Sequence, residues 1–275
     1  MSDFFSSKVA IVTGSSSGIG RETARQLSIR GAKVTITGRN AEALAETKRI
    51  LVEAGAMEND VLEVLGDVME DEFATKIVDN TIAKFGRLDV LVNNAGARIP
   101  DPQNRTGIEQ PVQILDHNFA LNVRTVVVIS QRAVGHLEKT RGSIVNVSSL
   151  AGQPFVFKTS PYYPVAKAAL DQLTVQMAGT LIEKGIRVNG VSPGLIKTNF
   201  EHAAGLPKEN QSDYYDNRGK DTNAVPLGRI GEATDIAKLI VFLSDRSQSE
   251  FIVGQRYMAD GGSSLKMVLA TGPKS

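Results

Sequence analysis

A tyrosine and a lysine four positions apart carry the clearest chemical signal in the chain, in the run YYPVAK at residues 162–167. On a helix these positions share one face, so the Lys167 ammonium would stand beside the Tyr163 phenol. A free tyrosine has a pKa of about 10, and a neighbouring positive charge would lower that pKa by favouring the phenolate. The pair could therefore act as a general acid and base at a carbonyl or alcohol oxygen. The alternative is an ordinary polar pair on a helix surface.

A glycine-rich turn, TGSSSGIG, occupies residues 13–20 between a predicted strand and a predicted helix. Gly14 permits a tight turn, while Gly18 and Gly20 let backbone amides approach a pyrophosphate, which a helix N-terminus attracts. A nucleoside-triphosphate loop is excluded because Gly20 is followed by Arg-Glu rather than by Lys-Ser/Thr. The turn predicts a dinucleotide site, and the alternative is a simple connection between two elements.

The residues after the second predicted strand indicate which dinucleotide is bound. An NAD-specific fold places an acidic residue about 20 positions past the glycines, but here the sequence reads Gly38-Arg39-Asn40. A guanidinium suits the 2′-phosphate of NADP, with Asn40 and the hydroxyls of Ser15 and Ser16 as further donors. NADP(H) is therefore the expected cofactor. The alternative is that Arg39 is only a solvated loop charge.

Short apolar runs alternate with longer runs of helical periodicity along the whole chain. Strands are predicted at residues 9–13, 34–37, 61–65, 90–92, 143–147, 187–191 and 252–258, and helices at 21–30, 42–54, 71–85, a long segment ending near 139, and 166–183. This alternation predicts an α/β fold with a doubly wound, parallel, seven-stranded sheet covered by helices on both faces, in a single domain. The irregular segments 97–111 and 198–226 should emerge where such sheets bind ligands, the second as a lid.

Composition narrows the classes of function. The 275 residues carry a net charge of only +1, which gives no reason to expect a nucleic acid or an anionic membrane as partner. There is no cysteine, and the three histidines form no ligand pair, so no metal site is expected. Neither a signal peptide nor a membrane-spanning apolar run is evident, so the expected location is the cytoplasm.

The motifs and their order resemble those of the short-chain dehydrogenase/reductase family, from about residue 7 to residue 262. Each block alone is weak evidence, but their joint occurrence in this order is specific. The blocks are the glycine turn with Gly14, Gly18 and Gly20, Asn93-Asn94-Ala95-Gly96, Asn122, Ser149, Tyr163 with Lys167, Pro193-Gly194 with Thr198, Gly254-Gln255, and Asp260-Gly261-Gly262.

The resemblance implies a Rossmann fold and a role for each matched residue. Ser149, preferred to Ser148 because it directly precedes the Leu-Ala-Gly turn, would bind the substrate oxygen, and Lys167 would also bind the nicotinamide ribose. Asn122 would join a water-linked proton relay from Lys167, so the expected catalytic residues are Asn122, Ser149, Tyr163 and Lys167. The expected cofactor-binding residues are Gly14, Ser15, Ser16, Gly18, Ile19, Gly20, Arg39, Asn40, Asp67, Val68, Asn94, Ala95, Gly96, Tyr163, Lys167, Pro193, Gly194, Ile196 and Thr198. Among these, Asp67 and Val68 would flank the adenine, and Ile196 and Thr198 would hold the carboxamide.

The sequence as a whole predicts an NADP(H)-dependent dehydrogenase or reductase acting on a small carbonyl or alcohol compound. The alternatives are a dehydratase, epimerase or isomerase on the same scaffold, and a non-catalytic nicotinamide-binding regulator. A homotetramer is expected from the long helices near 120–137 and 166–181, unless their apolar faces are wholly used against the sheet. The tail 263–275 is left without an assigned role. The residues expected to border the substrate pocket, unless they pack the lid on itself, are Phe155, Phe157, Leu195, Phe200, Leu206, Tyr214 and Tyr215.

Overall fold

A computed structural model describes residues 4–154, 156, 157, 159–203 and 205–267 of the chain. The strands within these residues are β1 (Val9–Val12), β2 (Lys33–Gly38), β3 (Val61–Leu65), β4 (Val90–Asn93), β5 (Ser143–Val147), β6 (Arg187–Pro193), β7 (Ile196–Lys197), β8 (Gly231–Glu232) and β9 (Arg256–Ala259). The helices are α1 (Gly18–Ile29), α2 (Ala41–Glu53), α3 (Asp71–Phe85), α4 (Val112–Phe119), α5 (Thr125–Thr140), α6 (Tyr162–Leu181), α7 (Phe200–Ala203), α8 (Gln211–Lys220), α9 (Ala233–Ser244), α10 (Arg246–Ser249) and α11 (Ser263–Met267).

Seven of these strands form one parallel sheet in the order β3-β2-β1-β4-β5-β6-β9. The chain runs outward from β1 to β3 and then returns to place β4 on the other side of β1, so the order reverses between β1 and β4. A crevice opens at the carboxyl ends of the strands at such a reversal. The predicted doubly wound Rossmann sheet of seven strands is confirmed.

Alternate residues of the strands serve two apolar layers, as the period of a pleated strand requires. Ala10 and Val12 belong to one core cluster, with residues from α1, α2 and α9, whereas Ile11 between them belongs to the other, with residues from α3, α5 and α6. The sheet is therefore covered on both faces, which explains why its strands are apolar almost throughout.

Three parts of the chain differ from the sequence prediction. The last strand begins at Arg256 rather than at 252, because Gly254 turns the backbone at φ +72 before pairing starts. The lid segment carries α7 and α8, and a π-helical turn, Ala120–Arg124, joins α4 to α5.

No helix in the described part of the chain is long and apolar enough to cross a membrane. Phe155 and residues 268–275 of the tail lie outside the described residues.

Candidate active site

The glycine-rich turn is tied to the end of β4 by a threonine and an asparagine. Thr13 Oγ1 accepts hydrogen bonds from the backbone N–H groups of Asn94 and Ala95, both at 3.0 Å. Asn94 Nδ2 donates in return to the carbonyls of Thr13 and Gly14, at 2.9 and 3.1 Å. Gly14 has φ +63, and a Cβ there would lie 2.9 Å from the Cα of Ala95. Only glycine fits this contact, so Gly14 brings the turn against β4 at the point where the strand order reverses.

The first turn of α1 faces the segment that follows β6. A Cβ on Gly20 would lie 2.5 Å from Asn94 Nδ2, and a Cβ on Gly18 would lie 3.1 Å from Thr198 Cγ2. The N–H groups of a first helical turn have no partner within the helix, and the N-cap residue Ser17 makes no side-chain cap. The crevice at the strand reversal therefore has the N–H groups and the positive end of α1 beside it, which suits a pyrophosphate.

Ser15 is a structural residue of this turn. Its side chain is fully buried, its hydroxyl donates to Val12 O at 2.8 Å, and that hydroxyl accepts from Thr37 N at 2.8 Å. Its backbone N–H donates to Thr37 O at 2.9 Å. Because both donors of Ser15 are used by the sheet, the expectation that its hydroxyl reaches a cofactor phosphate is corrected.

The end of β2 presents an exposed arginine beside an acid. The Arg39 side chain is 77% exposed, and its Nη1 lies 3.5 Å from Asp67 Oδ2. Asn40 caps α2, since its Oδ1 accepts from Ala43 N at 2.8 Å. A Cβ on Gly38 would lie 2.9 Å from the Cβ of Ser16. The space beside Gly38 is therefore taken by Ser16.

Residues beyond β6 form the other wall of the cleft. Pro193 and Ile196 are buried, and the N–H of Gly194 donates to Ala259 O at 3.0 Å. A Cβ on Gly194 would lie 2.6 Å from the Cα of Asp260, so this glycine allows the segments after β6 and β9 to touch. The last strand, β9, and the residue that follows it thus fix the position of the segment that begins at Gly194.

Tyr163 and Lys167 lie on the first turns of α6, and both are buried. The Lys167 Nζ stands 5.8 Å from the centroid of the Tyr163 ring and donates to Val147 O, at the end of β5, at 3.0 Å. Ser149 follows the same strand, and its side chain acts on the Tyr163 phenol, whose pKa it lowers. The structure thus brings three of the four predicted catalytic residues to one place.

Asn122, the fourth, lies in the π-helical turn and is fully buried. Its Nδ2 donates to the carbonyls of Ala97 and Asn118, both at 3.0 Å, while its Oδ1 has no hydrogen-bond partner among the described residues. A Cβ on Gly96 would lie 2.8 Å from that Oδ1 and 3.1 Å from Lys167 Nζ. Asn122 and Lys167 therefore converge on Gly96, and an uncompensated buried acceptor beside an ammonium suits a bridging water.

Burial controls the two titratable groups of the site. Removal from water raises the pKa of Tyr163 to about 12, and Glu201 adds to the rise, while the hydrogen bond with Ser149 and the charge of Arg98 oppose it. Burial lowers the pKa of Lys167 to about 8, against the opposing charge of Asp171. The expectation that the protein lowers the pKa of Tyr163 is therefore wrong for the chain alone, because desolvation outweighs the opposing effects of Ser149 and Arg98.

The lid covers the tyrosine. The Phe200 ring lies 5.8 Å from the Tyr163 ring, measured between centroids, at an angle of 52°. Tyr215 and Gln211 on α8 both donate to Thr198 O at 2.9 Å, which fixes the residue opposite the glycine turn. Tyr215 is itself buried. Phe200 therefore packs on Tyr163, whereas Tyr215 packs within the lid and anchors it.

Sequence reasoning missed Thr13 as the centre of the turn, and it missed an ion pair between Arg98 and Glu201 near Tyr163. Thr13 could have been found because it is the residue between β1 and Gly14, and its side chain carries a hydroxyl that can accept hydrogen bonds. No local pattern signals the ion pair, because its members stand 103 positions apart in the sequence. Such contacts depend on the tertiary structure alone.

A doubly wound sheet with a glycine turn at its strand reversal and a buried Tyr-Lys pair beyond β5 defines a nicotinamide-dependent oxidoreductase. Comparison with known proteins narrows this class. A family model described as "Enoyl-(Acyl carrier protein) reductase" matches residues 14–264. Cis-4-hydroxycyclohexanecarboxylate dehydrogenase of Sinomonas cyclohexanicum is 36% identical over 95% of this chain and 98% of its own. The chain belongs to the short-chain dehydrogenase/reductase family.

Two solved structures agree with this assignment. A short-chain dehydrogenase/reductase of unknown function from Caenorhabditis elegans, with cofactor, is 42% identical and has a TM-score of 0.95, over 98% of this chain and 100% of that one. A 7α-hydroxysteroid dehydrogenase complexed with NADH and 7-oxo glycochenodeoxycholic acid is 28% identical and has a TM-score of 0.82, over 95% and 96% of the two chains. The protein is thus an oxidoreductase of a family that binds nicotinamide cofactors.

Proposed function

We propose that the protein transfers a hydride between NADP(H) and a small carbonyl or secondary alcohol compound, with Tyr163 as the general acid and base. The observation that carries this proposal is the meeting of Ser149, Tyr163 and Lys167 beyond β5, under Phe200 of the lid. Proton transfer, charge stabilisation at oxygen and a nearby positive charge are the three protein contributions that reduction of a ketone requires.

The side chains of the cleft fit a dinucleotide. The close contacts of Gly14 with Ala95 and of Gly20 with Asn94 bring the N-terminus of α1 to the end of β4, where a pyrophosphate would lie. Asp67 and Val68 would flank the adenine, and Ile196 and Thr198 would hold the nicotinamide carboxamide. When bound, the nicotinamide supplies or accepts the hydride at the substrate carbon.

Tyr163 performs the proton transfer. With its pKa raised to about 12, the phenol is protonated at neutral pH and can donate to the substrate oxygen in the reducing direction. Ser149 donates a hydrogen bond to the same oxygen and stabilises the negative charge that develops there. In the oxidising direction Tyr163 must give up its proton first, which requires a positive charge near the phenolate.

Lys167 and Asn122 resupply the proton. Lys167, with a pKa lowered to about 8, remains mostly charged at pH 7 and would bind the nicotinamide ribose. Its Nζ and the unpartnered Oδ1 of Asn122 both lie beside Gly96, so a water held between them would link the ammonium to the interior of the π-helical turn. This arrangement supports the proposed relay.

NADP(H) is the proposed nucleotide, because Arg39 stands at the end of β2 where an NAD-specific enzyme would carry an acid. Asn40 and Ser16 are the remaining candidates for further donors. The complex of a relative with NADH shows that the family also contains users of the other nucleotide. The choice here therefore rests on Arg39.

The names of the two relatives direct the choice of test compounds, because one is a dehydrogenase of cis-4-hydroxycyclohexanecarboxylate and the other is complexed with 7-oxo glycochenodeoxycholic acid. We propose cyclic ketones as the first substrates to assay, by following the loss of NADPH or NADH absorbance on a panel that includes open-chain ketones. Turnover that depends on ketone and nucleotide supports the proposal. Tight NADPH binding without turnover of any carbonyl compound or alcohol would instead favour the nicotinamide-binding regulator, and conversion without net nucleotide oxidation would favour an epimerase, dehydratase or isomerase.

A further inference from the structure

An ion pair borders the candidate active site and joins the segment after β4 to the lid. Arg98 Nη2 donates to Glu201 Oε2 at 3.1 Å, and the two side chains are only 21% and 15% exposed. Glu201 directly follows Phe200, whose ring covers Tyr163. Both charges act on the Tyr163 phenol, since Glu201 raises its pKa and Arg98 lowers it. Two opposite charges therefore flank the place where a substrate oxygen would meet Tyr163.

The backbone on either side of Arg98 is held by asparagine side chains. The Ala97 carbonyl accepts from Asn122 Nδ2 at 3.0 Å, and the Ile99 N–H donates to Asn118 Oδ1 at 3.5 Å. Asn118 and Asn122 belong to α4 and to the π-helical turn, so Arg98 starts from a fixed point although it lies in an irregular segment. The Cα of Arg98 is therefore held in place before a ligand binds.

The guanidinium of Arg98 is incompletely satisfied. Its Nη2 contacts Glu201, but its Nε is buried and has no hydrogen-bond partner among the described residues. Guanidinium groups bind carboxylates best through two parallel hydrogen bonds, and a buried donor without a partner destabilises a protein. A carboxylate that engaged Nε as well would therefore bind better than Glu201 does in its single contact.

We propose that Arg98 determines specificity by binding a carboxylate on the substrate, and that Glu201 is the counter-ion which this carboxylate displaces. The inference rests on the proposed reaction at Tyr163 and names its substrate class as carbonyl or alcohol compounds that carry a carboxylate. Glu201 keeps the buried guanidinium paired when no substrate is bound, and it disfavours compounds whose anionic group does not reach Arg98.

The first test measures binding without catalysis. Cyclohexanecarboxylate, which has no carbonyl to reduce, is titrated calorimetrically into NADPH-saturated wild-type protein and into the variants Arg98→Gln, Glu201→Gln and Arg49→Gln. Arg98→Gln should weaken binding by about tenfold or more, as expected for loss of a hydrogen-bonded charge. Glu201→Gln should strengthen binding by at least about threefold, because it removes a competing carboxylate. Arg49, paired with Glu46 and Glu53 on the exposed face of α2, is the matched control and should change nothing.

The second test compares turnover of 4-oxocyclohexanecarboxylate with that of its methyl ester. In wild-type protein kcat/KM should be higher for the acid by about tenfold or more, and Arg98→Gln should remove this preference while leaving the ester within about threefold. Equal losses of kcat/KM for acid and ester in Arg98→Gln would show that the ion pair only holds the lid, and would overturn the proposal. Binding of cyclohexanecarboxylate with the same affinity in all four proteins would also overturn it. If no ketone were turned over while this binding still required Arg98, the proposed reaction would fail and the carboxylate site would stand.

Discussion

Replacing Arg39 by leucine should abolish a preference for NADPH over NADH. A hydrogen bond to a charged partner contributes about 1.5–3 kcal/mol. Arg39 is 77% exposed and must give up its pairing with Asp67 at 3.5 Å, a contact worth about 0.5 kcal/mol in so exposed a position. If the contact with the phosphate contributes about 2 kcal/mol and the lost ion pair costs about 0.5 kcal/mol, the net preference for NADPH is about 1.5 kcal/mol. This corresponds to roughly tenfold in affinity.

The assay is kcat/KM for each nucleotide at a fixed saturating ketone concentration. Wild-type protein should favour NADPH by about tenfold, and Arg39→Leu should lower the value for NADPH by about that factor while leaving NADH within about twofold. Arg49→Leu, an exposed arginine of α2, is the control for loss of surface charge. Gly38→Asp is not a clean test of charge, because its Cβ would press on Ser16 at 2.9 Å.

A wild-type protein that used NADH as well as NADPH would refute this reasoning. Arg39 would then be a solvated charge whose only partner in the described chain is Asp67. An equal loss for both nucleotides in Arg39→Leu would also contradict it, because that result would place the guanidinium on a part common to both cofactors.

Three other results are expected. The kcat/KM for NADPH in the reducing direction should fall as pH rises through about 8, because Lys167 loses its proton there while Tyr163 keeps its own until about 12. A kcat/KM that stays constant from pH 8 to 10 would exclude this role of Lys167. Gly96→Ala should lower kcat by about tenfold or more with little change in melting temperature, because its Cβ would displace Asn122 Oδ1 and Lys167 Nζ, and an unchanged kcat would contradict the proposed relay. Light scattering should give four times the chain mass of 29.5 kDa, since α5 and α6 are expected to pair between subunits, and a monomer at micromolar concentration would end that expectation.

Burial on both faces is what made the sheet predictable from sequence. The central strand β5 has the predicted bounds and is buried at every residue, because a parallel strand between two helical layers has no face open to water. The last strand was placed too early because β-branched residues at 252 and 253 read as strand, whereas the positive φ of Gly254 delays pairing to Arg256. Alternation of apolar and polar residues cannot report such a turn.

The sequence predicted which residues come together in the candidate site, but it did not predict the direction in which the pKa of Tyr163 is shifted. The spacing of Tyr163 and Lys167 on one helix indicated that they lie together, and the structure places them so. The direction of the Tyr163 pKa shift could not be inferred, because it depends on cover by Phe200 from a distant lid segment. The π-helical turn at Asn122 likewise follows from tertiary contacts with the segment after β4.

Substitution of Tyr163 by phenylalanine, beside the same change at Tyr162, tests the central claim most directly. Tyr163→Phe keeps the ring that packs on Phe200 and removes only the acidic proton, so kcat should fall by about 10²–10⁴-fold while the Kd for NADPH stays within about twofold. Tyr162→Phe loses a hydrogen bond to the Gln110 carbonyl, at 2.9 Å, and should keep its kcat. A Tyr163→Phe protein that retained more than about a tenth of the wild-type kcat would contradict the assignment of Tyr163 as the general acid and base.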